Sequence, residues 1–286
     1  MRDKSPLAPA LYVVATPIGN LEDITLRALR VLKEADLIAC EDTRQTQKLL
    51  NHYGISTRTV SYHEHNEASR AEELIHELKN GKRIALVSDA GMPGISDPGF
   101  RVVALAVENG IKVVPVPGAV AMISALAASG LPTDSFQFHG FLPHKSGQRR
   151  KVLEALRGSV HTDLFYEAPH RLKETMEDVV AALGTSRPVV IARELTKIHE
   201  EFLRGPAAQI LAELNSRGEV KGEITLLIGK AAQSEDSPEP EQSIRERVQK
   251  VMAGQKLDEK AALKAVAKER GISKSEAYRE MQRSKS

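Results

Sequence analysis

The chain has 286 residues, of which 41% are hydrophobic and 27% charged, with a net charge of +2 and no tryptophan. This length points to two or three domains with a sizeable core. The composition is that of a soluble protein, no apolar run approaches the roughly 18 residues of a membrane span, and a lone cysteine, Cys40, excludes an internal disulfide or a Cys-cluster zinc site. Met1 to Pro6 lack the apolar region of a secretory signal, so the expected address is cytoplasmic. The charge balance permits an anionic partner without requiring one.

Leu11 to Ala15 reads as a first strand, ending in Thr16-Pro17-Ile18-Gly19-Asn20 before a helix begun by Leu26, Leu29, Val31 and Leu32. This turn lacks the repeated glycines of a dinucleotide fingerprint, and GxxxxGK[ST] occurs nowhere, so NAD and nucleoside triphosphates find no support. Leu37 to Cys40 is a second strand, followed by Glu41-Asp42-Thr43-Arg44, charged residues that either orient a substrate or cap the helix from Gln45 to Tyr53. Thr59 to Tyr62 is a third strand. His63 and His65 then stand one residue apart among carboxylates, but no third ligand is evident, and helix capping or contact with an anionic substrate fits better than a metal site.

The most informative stretch follows a fourth strand, Arg83 to Val87, and precedes a helix from Phe100 to Glu108. Ser88 to Gly99 holds three glycines, two prolines and two aspartates, Asp89 and Asp97. Such a backbone is irregular and leaves main-chain groups uncovered for close approach of a ligand. It also lies at a strand's C-terminal end, where open α/β sheets bind ligands. Ile111 to Val116 is a fifth strand, and Pro117 to Ala121 leads with small residues into a helix from Met122 to Ser129. Strands alternating with helices over about 118 residues predict a parallel or mostly parallel sheet.

Gly130 to Thr133 reads as a connector. Beyond it lie Phe136 to Pro143, a basic run from His144 to Lys151, and strands ending at Leu164 to Arg171, Val189 to Lys197 and Gly222 to Gly229. Arg171, Arg193, Glu194 and Lys197 thus fall at strand ends, where function concentrates, although surface ion pairs would show the same letters. The expected organisation is an α/β domain at 1–118, a second at 119–232, a polar, proline-containing linker at 233–241 and a basic helical tail at 242–286. The tail has twelve basic and six acidic residues. Asp258 caps one helix, Gly271-Ile272 turns, and Ser273 to Glu276 is a capping box for the last helix. The pattern is helix-turn-helix-like, which favours nucleic-acid contact over a hairpin packed on its own protein.

Ser88 to Gly99, with Thr16 to Leu21, Glu41 to Arg44 and Phe165 to Arg171, resembles the ribosomal RNA small subunit methyltransferase I family, a branch of the tetrapyrrole methylases, over about residues 10 to 286. The resemblance implies two α/β domains with S-adenosylmethionine in the cleft between them and a homodimer. It also implies transfer of methyl to the ribose 2′-hydroxyl of a cytidine in the decoding region of 16S ribosomal RNA, so that the small subunit is the partner. By the same resemblance Ile18, Asp89, Ala90, Gly91, Met92, Ala119, Val120 and Ala121 form the cofactor wall, closed by Phe165 and Tyr166. Met92 departs from a threonine common in the family, which bears on affinity rather than reaction type.

A ribose hydroxyl is a poor nucleophile and benefits from a base. Glu167, Glu194 and Lys197 are the candidates, Lys197 only if burial or Arg193 lowers its pKa. Lys145, Arg171 and Arg193 are expected to hold phosphates. Two alternatives are a methylase acting on a tetrapyrrole carbon and a protein that binds RNA without turnover. The first is disfavoured by the Thr16 to Asn20 turn and by a basic tail for which a free porphyrin has no use.

Overall fold

The structure, a computed structural model, describes residues 6–231, 244–255, 257–269 and 272–283. The expected linker at 233–241 and Gly271 lie outside these residues. Residues 1–231 and 232–286 form two compact units.

The first unit is built on two five-stranded sheets. The first sheet contains β1 (Ala10–Val14), β2 (Leu37–Cys40), β3 (Thr59–Ser61), β4 (Arg83–Leu86) and β5 (Val113–Val116), in the order β3-β2-β4-β1-β5. Every pairing in it is parallel. Helices α1 (Leu26–Glu34), α2 (Thr43–His52), α3 (Glu67–Lys79) and α4 (Phe100–Glu108) connect the strands. They cover both faces: one core gathers Val14, Leu32, Ile38 and Leu50, the other Leu11, Leu74, Ile84 and Val102. A sheet buried on both sides calls for continuous apolar strands, which explains why Leu37 to Cys40 and Ile84 to Val87 show no polar alternation. The starts of α1 and α2 are held by side-chain caps. The Thr25 hydroxyl accepts the Ala28 N–H at 3.0 Å, and the Asp42 carboxylate accepts the Arg44 N–H at 2.8 Å, so the charged turn after β2 does cap its helix.

The second sheet contains β6 (Phe136–Phe141), β7 (Thr162–Glu167), β8 (Pro188–Arg193), β9 (Glu201–Pro206) and β10 (Ile224–Ile228), in the order β6-β7-β10-β8-β9. Only β6 and β7 pair in parallel; β7-β10, β10-β8 and β8-β9 are antiparallel. β9 has no counterpart in the sequence reading. It is an edge strand in which Leu203 alone is fully buried, and it ends in Gly205-Pro206, so neither apolar alternation nor β-propensity marks it. Helices α6 (Ser146–Ala155), α7 (Leu172–Leu183) and α8 (Ala207–Ser216) pack on one face.

The other face is covered by α5 (Ala121–Ser129), the helix that leaves β5 of the first sheet. Arg204 donates to the carbonyls of Ala128 and Ser129 at 2.8 and 3.2 Å, closing the helix's negative end with a cation. Ile18, from the turn after β1, is buried among Leu126, Leu164, Val190 and Leu195 of the second half. One residue of the first turn is thereby built into the second half's core, which ties the two sheets together at the cleft.

The second unit contains α9 (Ile244–Gln255), α10 (Glu259–Glu269) and α11 (Lys274–Arg283) around Val248, Leu263, Val266 and Met281. Its described residues form three helices where the sequence reading separated two. Asp258 caps α10 through the Ala261 N–H at 2.7 Å, and the capping box at Ser273 is formed in both directions, with Ser273 N–H to Glu276 Oε2 at 3.0 Å and Glu276 N–H to Ser273 Oγ at 3.3 Å. Among the described residues no helix is long and apolar enough to cross a membrane.

Candidate active site

The turns after β1 and β4 leave adjacent strand ends and are stitched together. Thr16 and Gly91 exchange both backbone hydrogen bonds, at 2.9 and 3.1 Å, and the Thr16 hydroxyl donates to the Ser88 carbonyl at 3.1 Å. Gly91 sits at φ +83°, with Ile18 Cγ2 3.4 Å from where a Cβ would stand, so the position requires glycine. Both polar atoms of Gly91 are thereby spent on Thr16, which stitches the loop to the first turn. What the loop offers is a bare, rigid surface.

That surface is one wall of a cleft of about 360 Å³ between the two sheets. Ile18, Ala90, Gly91 and Met92 line it from the first half, with Val120 and Ala121 from the start of α5. Tyr166, Ala192, Leu195 and Gly222 to Thr225 line it from the second. The walls are mostly apolar, and Asp97 brings a carboxyl to them. Burial pushes that carboxyl up to about 6, the charges of Glu41 and Asp89 add to the shift, and a bond from the Ser88 hydroxyl partly offsets it. Asp97 is therefore ionised at neutral pH, but only just, in a cleft with few other charges.

Residues 10–211 match the family model Tetrapyrrole (Corrin/Porphyrin) Methylases. The chain is 50% identical to the ribosomal RNA small subunit methyltransferase I of Halalkalibacterium halodurans over 94% of its own length and 93% of the relative's. It is 52% identical to the protein of that name from Escherichia coli O157:H7, over 80% of each chain. The chain belongs to the tetrapyrrole methylase family, in its ribosomal RNA small subunit methyltransferase I branch. The solved structure of diphthine synthase shares its fold, with a TM-score of 0.61 at 18% identity over 77% of this chain and 89% of that one. So does the methyltransferase CobJ, with a TM-score of 0.59 at 20% identity over 80% and 97%.

Methyltransferases of this family take S-adenosylmethionine as donor, and the cleft fits it. An apolar wall suits a flat adenine, the glycine at position 91 allows close approach, and the Asp97 carboxylate complements a cationic sulfonium and amine. Of the cofactor residues named from sequence, Ile18, Ala90, Gly91, Met92, Val120, Ala121 and Tyr166 reach the cleft. Three do not. Asp89 accepts the Asp42 N–H at 3.2 Å, Ala119 packs beside Ile18, and Phe165 is fully buried with its ring stacked on His139. Phe165 and Tyr166 are neighbours on one strand and so face opposite ways.

The candidate bases are all engaged. Glu167 is buried, takes the Thr175 hydroxyl at 2.7 Å and the Ala168 N–H at 2.7 Å, and is ion-paired with Arg171. Burial works against the charge of Lys197, but its bonds to Glu194 at 2.8 Å and Glu223 at 3.2 Å outweigh this and hold the ammonium above its ordinary pKa. The condition set for Lys197 as a neutral base is thus not met. The same bond, with help from the Glu223 N–H, keeps the Glu194 carboxyl below the usual range. Lys197 also packs against Gly19, where a Cβ would lie 2.5 Å from its Cγ, so this ion pair stands beside the first turn.

The phosphate candidates divide. Arg171 is buried, with a further bond to the Leu142 carbonyl at 3.4 Å, and Arg193 is held by Glu201 at 2.9 Å and the Lys221 carbonyl at 3.1 Å. Both are engaged by partners within the protein. Lys145 is exposed at the start of α6. His63 and His65 stand with ring centroids 6.0 Å apart, and among the described residues no three His, Cys, Asp or Glu side chains converge on a metal geometry.

Sequence reasoning marked Asp97 but assigned it no role, and it missed Phe141 and the Gly222 to Thr225 floor. The floor comes from the start of β10, a strand that reads only as a buried run.

Proposed function

We propose that this chain transfers the methyl group of S-adenosylmethionine to the ribose 2′-hydroxyl of a cytidine in the decoding region of 16S ribosomal RNA. The observation that carries the reading is the 50% identity to the Halalkalibacterium halodurans relative over 94% of the chain, a span too long to leave out the whole of the basic C-terminal unit. The ribose position, the base and the decoding region follow from the family resemblance in the sequence motifs.

The donor supplies an electrophilic methyl on a sulfonium, so the protein has chiefly to align it with the acceptor oxygen and receive a proton. Ile18, Ala90 to Met92, Val120 and Ala121 hold the donor's apolar body, and Asp97 sets a negative charge against its cationic end. Glu194, kept ionised by Lys197, receives the hydroxyl proton, and Lys197, kept cationic, faces the charge that develops on the oxygen. Lys145 and the neighbouring exposed Lys151 meet phosphates, as do exposed cations of the tail such as Lys260, Lys264 and Arg279. A second copy of the chain covers α4, where Phe100, Val103 and Val107 form a stripe at helical spacing with Phe100 76% and Val107 63% exposed.

The test is incubation with radiolabelled S-adenosylmethionine and, separately, small subunits lacking the modification, bare 16S RNA and a tetrapyrrole precursor. Label is expected on subunit RNA, at a single cytidine whose 3′ linkage resists alkali. Label on the tetrapyrrole, or on nothing, overturns the reading.

A further inference from the structure

β6 departs from strand periodicity at one point. Phe138 stands opposite Leu164 of β7, but the residue opposite Tyr166 is Phe141, so three steps on β6 match two on β7. The extra residue is taken up beside Gly140, at φ +69°. Such a bulge flips the facing of everything beyond it. With regular pairing Phe141 would join His139 on the face where that ring stacks on Phe165 at 4.8 Å. With the bulge it joins Phe138 and Tyr166 on the cleft face, its ring tilted against Tyr166 at 5.8 Å.

The bulge therefore takes a phenylalanine out of a core position and sets it at the mouth of the cleft, where it is 56% exposed. Burial does not account for that placement. An aromatic ring held by a second ring, with much of its surface open beside a methyl-donor cleft, is suited to receive a flat partner. A nucleotide splayed out of the RNA stack can carry its ribose into such a cleft, and splayed-out bases in RNA complexes are commonly received on aromatic side chains. We propose that Phe141 is the platform on which the base of the acceptor nucleotide stacks. This rests on the RNA-methyltransferase reading above and adds to it a residue that selects an unstacked nucleotide.

The experiment uses the full chain with unmodified small subunits as acceptor. Phe141→Leu, which keeps apolar bulk but loses the ring, is expected to raise KM for the subunit about tenfold or more, whereas Phe141→Tyr stays within about twofold of the parent. Cofactor Kd, melting temperature and sedimentation are expected to be unchanged in both. Because the chain has no tryptophan, Phe141→Trp introduces a sole indole, whose emission is expected to quench saturably when subunits are added and to remain when S-adenosylmethionine alone is added. Parent-like KM in Phe141→Leu overturns the proposal, as does a parallel loss of cofactor binding, which would give the ring to the donor, or dissociation of a dimer, which would give it to a second copy. If the parent chain methylates no RNA, the underlying reading fails instead, and the two failures are told apart by that control.

Discussion

Asp97 shows how a single residue serves the site at a cost to the fold. Its carboxyl is raised to about 6 by burial and by the charges of Glu41 and Asp89, so the unfolded chain ionises it more readily than the folded one. The folded state is then disfavoured progressively as pH rises from about 4 to about 6, and it stays so above. Asp97→Asn should stabilise the protein at pH 8 by about 1 kcal/mol, a figure reduced for partial solvent screening, as measured by denaturant unfolding. The same variant should weaken cofactor binding about tenfold or more by calorimetry, and the parent's affinity should itself fall as pH drops through about 6. Lys197 is the opposite case, since its ammonium is held by two carboxylates. Lys197→Met is expected to lower kcat by at least about tenfold while cofactor Kd stays within twofold; a shift in Kd alone would remove Lys197 from the chemical step.

At the scale of elements, the second half depends on buried ion pairs that clamp its helices. Arg149 of α6 has its side chain 1% exposed and pairs at 2.7 Å with Asp178 of α7, which also pairs with Arg150 and accepts the Ser146 hydroxyl. Burial alone would raise the Asp178 carboxyl, but the bonds from Arg150, Arg149 and Ser146 win and hold it below the ordinary range. Stability from this clamp is present above the carboxyl's unfolded pKa of about 4 and is lost as pH falls through the lower folded value. Asp178→Ala leaves a buried guanidinium without its main partner and should cost about 3 kcal/mol in urea unfolding at pH 7. The Glu167–Arg171 pair clamps the end of β7 to the start of α7 in the same way, while Glu167 also lines the cleft.

For the whole molecule, the basic tail and the apolar stripe of α4 make separable predictions. Deleting residues 242–286 should weaken binding to 16S RNA and flatten its dependence on salt, while cofactor binding by the remaining unit is unchanged. RNA affinity unaffected at moderate salt would detach the tail from recognition. Phe100→Asp should give a monomer by sedimentation, because a charge on the most exposed ring of the stripe meets its own copy or apolar surface across a two-fold contact; a monomeric parent chain would remove the interface instead.

Read alone, the sequence determined the parallel first sheet, the irregular loop from Ser88 to Gly99 that lines the cleft, the capping of α10 and α11, and the family. Each of these is local: buried strands are written as apolar runs, caps as side chains within three residues, and the loop as a contiguous motif. Only the tertiary structure decided which residues face the cleft. Phe165 and Tyr166 differ by one step on a strand, the facing of Phe141 depends on a bulge beside Gly140, and β9 is an edge whose pairing is supplied by β8. It also decided which charges are free. Arg171 and Lys145 read alike in sequence, but one meets Glu167 in the interior and the other meets solvent. Facing and pairing are set by partners distant along the chain, and a motif does not record them.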